Sequence, residues 1–301
     1  MNWKIQIAKI ILDEVITTVS EQEFNRLASG LNINEKPEDK VRYALESLGK
    51  LGIGEMSDYH DEWVALFYHW YQPAHINLAY SMIKSTGILN EKLHIVDFGC
   101  GSLAMQFGVA LAVADKINKK SITEIRIDSI DTSPAMIKVG QKMWELFKLR
   151  ACRYPDLYNA CEIIKPKYYS DIKKVELAKN SDCWISAIHS VYEANKADVK
   201  QSLKSLVDRL RPDTCFLSTN SSKESLLSEV WPFASTNSKN VDPQPQFNGA
   251  LTQITRWRRK LNNTHSQSHG YLYSPVTWEW RDAAIWRFYS WKYLPTHLQG
   301  W

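Results

Sequence analysis

The sequence predicts an α/β protein in which a mostly parallel sheet follows a set of amphipathic helices. From about residue 91 onward, short apolar segments that end in polar residues alternate with helical patterns, as is typical of a parallel sheet. Before residue 90, apolar residues recur at helical spacing, for example at Ile7, Ile11 and Val15. We therefore expect a helical N-terminal cap or lid over residues 1–90 and a sheet domain over residues 91–301.

Composition narrows the class of protein. The chain has 301 residues, of which 44% are hydrophobic, enough for one large core and an accessory region. The net charge of +4 is too small to argue for nucleic acid, although residues 252–301 carry 7 basic and 2 acidic side chains. Five cysteines without a Cys-x-x-Cys pair, no signal-peptide pattern and no membrane-length apolar run predict a cytoplasmic protein. We expect no metal site and no membrane partner.

The most informative segment is residues 95–103, which reads Ile-Val-Asp-Phe-Gly-Cys-Gly-Ser-Leu. An apolar strand ends in Asp97, a tight turn contains Gly99 and Gly101, and a long helix is predicted over Leu103–Lys116. Glycine suits a sharp turn that must pass close to a ligand, because a Cβ atom would obstruct it.

Three later segments predict further strands. Residues 125–131 alternate apolar and polar side chains and end in Asp131, followed by a helix start at Thr132-Ser133-Pro134. Residues 182–188 form an apolar run that leads into His189. Residues 214–219 follow the turn Leu210-Arg211-Pro212-Asp213.

Together these features, over about residues 93–220, resemble the class I S-adenosylmethionine-dependent methyltransferases. The resemblance implies a Rossmann-like, seven-stranded, mostly parallel sheet and S-adenosyl-L-methionine as cofactor. The chain departs from the family at Leu103, where a glycine is usual. A dehydrogenase-type Rossmann domain is the competing interpretation, but Gly101 and Asp131 are 30 residues apart, against roughly 20 in the dinucleotide fingerprint.

The resemblance also implies which residues hold the cofactor. Asp97 would hold the turn or reach the methionine ammonium group, and Asp131 would accept hydrogen bonds from the ribose hydroxyls. Asp171, in the segment between residues 160 and 180 where the family has its third strand, would accept a hydrogen bond from the adenine amino group. The full set of predicted cofactor residues is Asp97, Gly99, Gly101, Ser102, Asp131, Thr132 and Asp171.

Three residues are candidates for catalysis. His189 follows a strand at the edge where the resemblance places the transferred methyl group, and imidazole suits a general base near neutral pH. The alternative is that His189 only caps the strand. Tyr192 would orient the acceptor or pack within a helix. Tyr71 belongs to an aromatic helix, Asp61–Tyr71, which would pack in a core or face the active site.

The C-terminal part is predicted to be a long loop, residues 221–250, and then a Trp-rich region. Gln253–Arg258 and Trp278–Trp291 are predicted to form a final antiparallel strand pair. Residues 282–289 fit either a helix or a strand.

The sequence therefore predicts a methyltransferase that acts on a small-molecule or peptide acceptor, with oxygen as the first choice of acceptor atom. Two alternatives stay open. Tryptophans interleaved with basic residues would suit an RNA methyltransferase, and Leu103 in place of glycine would suit an inactive scaffold protein. The oligomeric state is not predicted.

Overall fold

The computed structural model describes residues 3–52, 59–86, 91–116, 122–178, 181–190, 195–219, 229–230, 244–264, 274–279 and 285–289. Helices come first along the chain and then alternate with strands. The N-terminal helices are α1 (Trp3–Ser29), α2 (Pro37–Gly52), α3 (Glu62–Phe67) and α4 (Gln72–Thr86), with a 3-10 turn at Tyr68–Trp70. The later helices are α5 (Ala104–Lys116), α6 (Pro134–Ala151), α7 (Pro155–Glu162), α8 (Lys196–Leu210) and α9 (Thr252–Thr264), with a 3-10 turn at Ile172–Lys174.

One sheet organises the fold. Its strands are β1 (Lys92–Phe98), β2 (Glu124–Ile130), β3 (Ile164–Tyr169), β4 (Asp182–Ile188), β5 (Thr214–Thr219) and β6 (Ile285–Tyr289). Their order across the sheet is β3-β2-β1-β4-β5-β6. β1 to β5 run parallel, and β6 is antiparallel to β5. The α/β class and the parallel sheet are confirmed, but the described residues form six strands where seven were predicted.

The two faces of the sheet are buried by different helices, because successive side chains of a strand point to opposite faces. Ile95 of β1 belongs to a core cluster that also contains side chains of α1 to α7 and α9. Val96, the next residue of β1, belongs to a second cluster that is formed largely with α8. The N-terminal helices thus share one hydrophobic core with the sheet.

The prediction of a strand over Gln253–Arg258 is wrong, because these residues belong to helix α9. Its buried positions recur at helical spacing, as at Ile254, Trp257, Arg258 and Leu261. The helix also receives a cap from elsewhere in the chain. The carboxylate of Asp13 in α1 accepts hydrogen bonds from the N–H groups of Gln253 (2.9 Å) and Ile254 (3.2 Å), which satisfies two otherwise unpaired donors of the first turn.

A buried asparagine of α4 binds the backbone of residues 246, 247 and 278. The side chain of Asn77 is fully buried. Its Nδ2 donates to the carbonyl oxygens of Phe247 (2.9 Å) and Trp278 (2.8 Å). Its Oδ1 accepts from the N–H groups of Gln246 (3.2 Å) and Phe247 (3.1 Å). One side chain therefore joins two segments that approach the helix from distant parts of the sequence.

In the described ranges, no helix is both long enough and apolar enough to cross a membrane.

Candidate functional site

The predicted glycine turn lies at the carboxyl end of β1. Strands β2 and β3 lie on one side of β1 and strands β4 to β6 on the other, so the strand order reverses at β1. Open α/β sheets bind ligands at such a switch point. Gly99 has φ +66° and Gly101 has φ +50°, conformations that glycine adopts without a steric penalty. A Cβ atom on Gly99 would overlap Ser190 Cβ. The loop after β4 is therefore packed directly on the glycine turn.

Leu103 adopts the left-handed conformation that a glycine would favour. Its φ is +69°, which costs a residue with a Cβ atom roughly 1–2 kcal/mol. The side chain is fully buried and lies against Gly140 of α6. A leucine therefore occupies a backbone conformation that suits glycine.

Asp131 ties the glycine turn to the start of α6. One carboxylate oxygen accepts from the N–H of Gly101 and the other from the N–H of Ser133, both at 2.8 Å. Burial raises the pKa of Asp131, and the hydrogen bonds from Ser133 and Gly101 partly oppose that rise. Thr132 beside it is exposed. The predicted ribose ligand therefore also shapes the turn.

Asp97 is a buried carboxyl group at the end of β1. It is 3% exposed, and the hydroxyl of Ser186 in β4 donates to its Oδ1. Burial raises the pKa of Asp97 to about 7, and the nearby charge of Asp131 acts in the same direction. Near neutral pH this group therefore changes charge at the base of the glycine turn.

Helix α4 holds the glycine turn from the other side. Gln72 is fully buried, and its Nε2 donates to the carbonyl oxygen of Ser102 at 2.6 Å. Ser102 itself is buried, with its hydroxyl 4.0 Å from the sulfur of Met136. The turn is thus fixed by polar contacts to α4 and to the loop after β2.

His189 comes directly after β4 in a left-handed conformation, with φ +50°. Its backbone N–H lies 3.1 Å from both the carbonyl oxygen and the hydroxyl of Ser218 in β5. Its ring stacks on that of His75 from α4, with centroids 4.8 Å apart and planes 16° apart. The Tyr68 hydroxyl is 2.9 Å from His75 Nδ1. The structure therefore brings two imidazoles and a phenol together at this edge.

The other predicted residues lie as follows. The hydroxyl of Tyr71 donates to the carbonyl oxygen of Leu48 in α2 at 3.3 Å, and its ring stacks on His75. Asp171 is exposed, and its carboxylate accepts from the N–H of Lys173, which caps the second 3-10 turn. Tyr192 lies outside the described residues. No cluster of three or more metal-binding side chains occurs in the described part of the chain.

Sequence reasoning missed His75 and considered Tyr68 only as one tyrosine of the aromatic helix Asp61–Tyr71, although one signal was available. The two residues are seven positions apart, about two helical turns, so they lie on one face of the α3–α4 region. All three residues, Tyr68, His75 and His189, are partly buried. What the sequence does not show is that this face meets the end of β4.

Comparisons with known proteins find no matching family model and no matching curated protein. Several solved structures are similar. A small RNA methyltransferase is 17% identical at a TM-score of 0.37, over 72% of this chain and 25% of that chain. A Listeria monocytogenes protein provisionally assigned to the class I S-adenosylmethionine-dependent methyltransferases is 12% identical at 0.37, over 80% and 81%. A Leishmania major S-adenosylmethionine-dependent methyltransferase is 14% identical at 0.33, over 65% and 82%.

Proposed function

We propose that this chain is an S-adenosylmethionine-dependent methyltransferase that acts on a small-molecule or peptide acceptor at oxygen. The observation that carries the proposal is the junction at the end of β1. There a glycine turn with φ +50° at Gly101, held by Asp131, lies at the sheet's switch point. Tyr68 lies next to Gly101, and its hydroxyl is bonded to His75, which stacks on His189.

The residues at this junction suit that cofactor. Ser190 Oγ is shielded from solvent and has no hydrogen-bond partner among the described residues, so it is available to a polar ligand group. It lies next to the position that a Cβ atom on Gly99 would take. The carboxyl of Asp97 is buried with one described donor, Ser186, and suits a cationic group such as the methionine ammonium. Asp131 would face the ribose.

The cofactor would supply a methyl group on a sulfonium, which an oxygen nucleophile attacks in line. The chain must then position the acceptor and remove its proton, and positioning supplies much of such a rate. His189 suits the second task, because an imidazole accepts protons near neutral pH. Its backbone is fixed by Ser218, and its ring by stacking on His75.

The test is calorimetry with S-adenosylhomocysteine. We expect the wild-type chain to bind it and Asp131→Ala to weaken binding at least tenfold, since the variant loses contacts worth about 1.5–3 kcal/mol each. Gly101→Val should also weaken binding, because valine at φ +50° strains the turn. Gly249→Val is the matched control: Gly249 has φ +84° with no atom within 4 Å of an added Cβ. If the wild-type chain does not bind S-adenosylhomocysteine, the proposal is wrong and the interpretation as an inactive scaffold protein remains.

RNA as the acceptor is supported by one observation. Helix α9 exposes Arg256, Arg259 and Lys260 along one face, as a phosphate backbone would require. Acceptor binding that weakens steeply with added salt would favour RNA, and a flat salt response would favour a small molecule or peptide.

A further inference from the structure

We propose that Tyr68, His75 and His189 form one functional unit, in which His75 is a positioning residue. His75 would hold the Tyr68 hydroxyl and the His189 ring at the edge where the acceptor is methylated. This inference rests on the proposed function and extends it to His75, which the sequence analysis did not name, and to Tyr68, a tyrosine of the predicted aromatic helix.

The first argument is geometric. His75 contacts both partners, through a 2.9 Å hydrogen bond between its Nδ1 and the Tyr68 hydroxyl and through the stack on His189. The ring of Tyr71 also stacks on His75, so the His75 ring has three neighbours. Because the neighbours restrict its ring from several sides, His75 can fix the orientation of His189 more firmly than an aliphatic residue could.

The second argument is the position of Tyr68. A Cβ atom on Gly101 would lie 3.6 Å from Tyr68 Cε1 and 3.7 Å from its hydroxyl oxygen. The phenol is therefore next to the glycine turn, while the same hydroxyl is bonded to His75. The unit reaches from the turn that would carry the cofactor to the end of β4.

The third argument concerns charge. Burial lowers the pKa of His75 well below its usual value, and the neighbouring His189 lowers it further. His75 therefore stays neutral near pH 7. A neutral neighbour leaves His189 free to take the acceptor's hydroxyl proton on a ring nitrogen, while the electron pair of the O–H bond stays on the acceptor oxygen.

The experiment uses the full chain with 15N-labelled histidine and imidazole NMR, which needs no acceptor. Tyr68→Phe should move the Nδ1 resonance of His75, because the hydrogen bond is lost and the ring is kept. His75→Phe should keep the ring-current shifts of the His189 protons, and His75→Leu should lose them. Tyr158→Phe, at an exposed tyrosine of α7, is the matched control. His69, buried elsewhere in the core, is the internal reference.

S-adenosylhomocysteine then separates this inference from the proposed function. If it binds by calorimetry and moves the resonances of His75 and His189 but not those of His69, the unit lies at the transfer edge. If it binds and leaves both resonances unchanged, the inference is wrong and the proposed function stands. If it does not bind, the proposed function fails, and the Tyr68→Phe spectrum still decides whether the unit exists. An unchanged His75 Nδ1 resonance in Tyr68→Phe overturns the unit.

Discussion

A Cβ atom on Gly140 would lie 2.7 Å from Leu103 Cγ and 2.8 Å from the carbonyl carbon of Ser102. Contacts this close cannot form without movement of the backbone of the glycine turn. A residue of helix α6 that makes no polar contact with the turn therefore limits where the turn can lie.

Gly140→Ala should accordingly displace the turn. Overpacking of this kind costs about 1–3 kcal/mol, and S-adenosylhomocysteine affinity should fall together with the free energy of unfolding. Urea denaturation and calorimetry measure the two effects. Gly30→Ala is the control, because an added Cβ there meets only atoms at 3.6 Å. Equal stability of the two variants would contradict the tight contact.

At position 103 we expect the glycine variant to be at least as stable as the alanine variant, which reverses their usual order. Both Leu103→Ala and Leu103→Gly lose a buried side chain, at about 2–5 kcal/mol. Only the glycine variant also relieves the positive φ, worth roughly 1–2 kcal/mol. Leu103→Gly should therefore be at least as stable as Leu103→Ala in urea denaturation. At Leu111, buried within α5, the glycine variant should be less stable by about 1 kcal/mol. The same order at both sites would refute the strain at Leu103.

The raised pKa of Asp97 predicts a pH-dependent stability. A carboxyl whose pKa is about 7 in the folded chain and near its ordinary value in the unfolded chain stabilises the fold below about pH 4. That contribution is lost as pH rises from about 4 to about 7, at about 1.4 kcal/mol for each pH unit, and the loss is complete above the folded-state pKa. The side chain that Asp97→Asn introduces cannot ionise. The free energy of unfolding of the variant, relative to that of the wild type, should therefore be about 2–3 kcal/mol higher at pH 8 than at pH 5. A constant difference would show that Asp97 titrates normally.

Asn77 should be among the least replaceable polar residues. Asn77→Ala leaves two carbonyl oxygens and two N–H groups without their partner, and each unsatisfied buried group costs about 1–3 kcal/mol. We expect a loss of at least about 3 kcal/mol in the free energy of unfolding, by urea denaturation. Asn159→Ala, at an exposed position of α7, should change stability by less than about 0.5 kcal/mol. Similar values for the two variants would show that the contacts of Asn77 are replaced by water.

The sheet could be predicted well because its strands are short apolar segments with polar ends. β5 matches its predicted bounds, residues 214–219, and β4 matches residues 182–188. Helix α5 begins one residue later than predicted, at Ala104. In these elements the local pattern and the tertiary environment favour the same structure.

Helix α9 and the contact between His75 and His189 could not be predicted, because their local sequence patterns do not indicate the tertiary environment. Residues 253–258 contain only two apolar side chains, Ile254 and Trp257, which is too few to show a helical period. The cap that starts the helix there is Asp13, 240 positions away from Gln253 in the sequence. In the sequence, His75 is only one polar residue of a predicted helix. The fold brings it next to His189, the residue that follows β4. Both depend on contacts between distant segments, which no local pattern contains.

The cap that Asp13 gives to α9 also bears on how the chain folds during synthesis. Helix α1 is synthesised before helix α9, and the backbone groups that its Asp13 carboxylate binds belong to residues 253 and 254. The final packing of α1 must therefore wait until about 240 further residues have been translated. Until then the apolar face of α1 has only part of its native partners, and partly folded chains with exposed apolar surface are prone to aggregate. A nascent chain released before residue 244 should for that reason require chaperones more than a chain that includes helix α9 does.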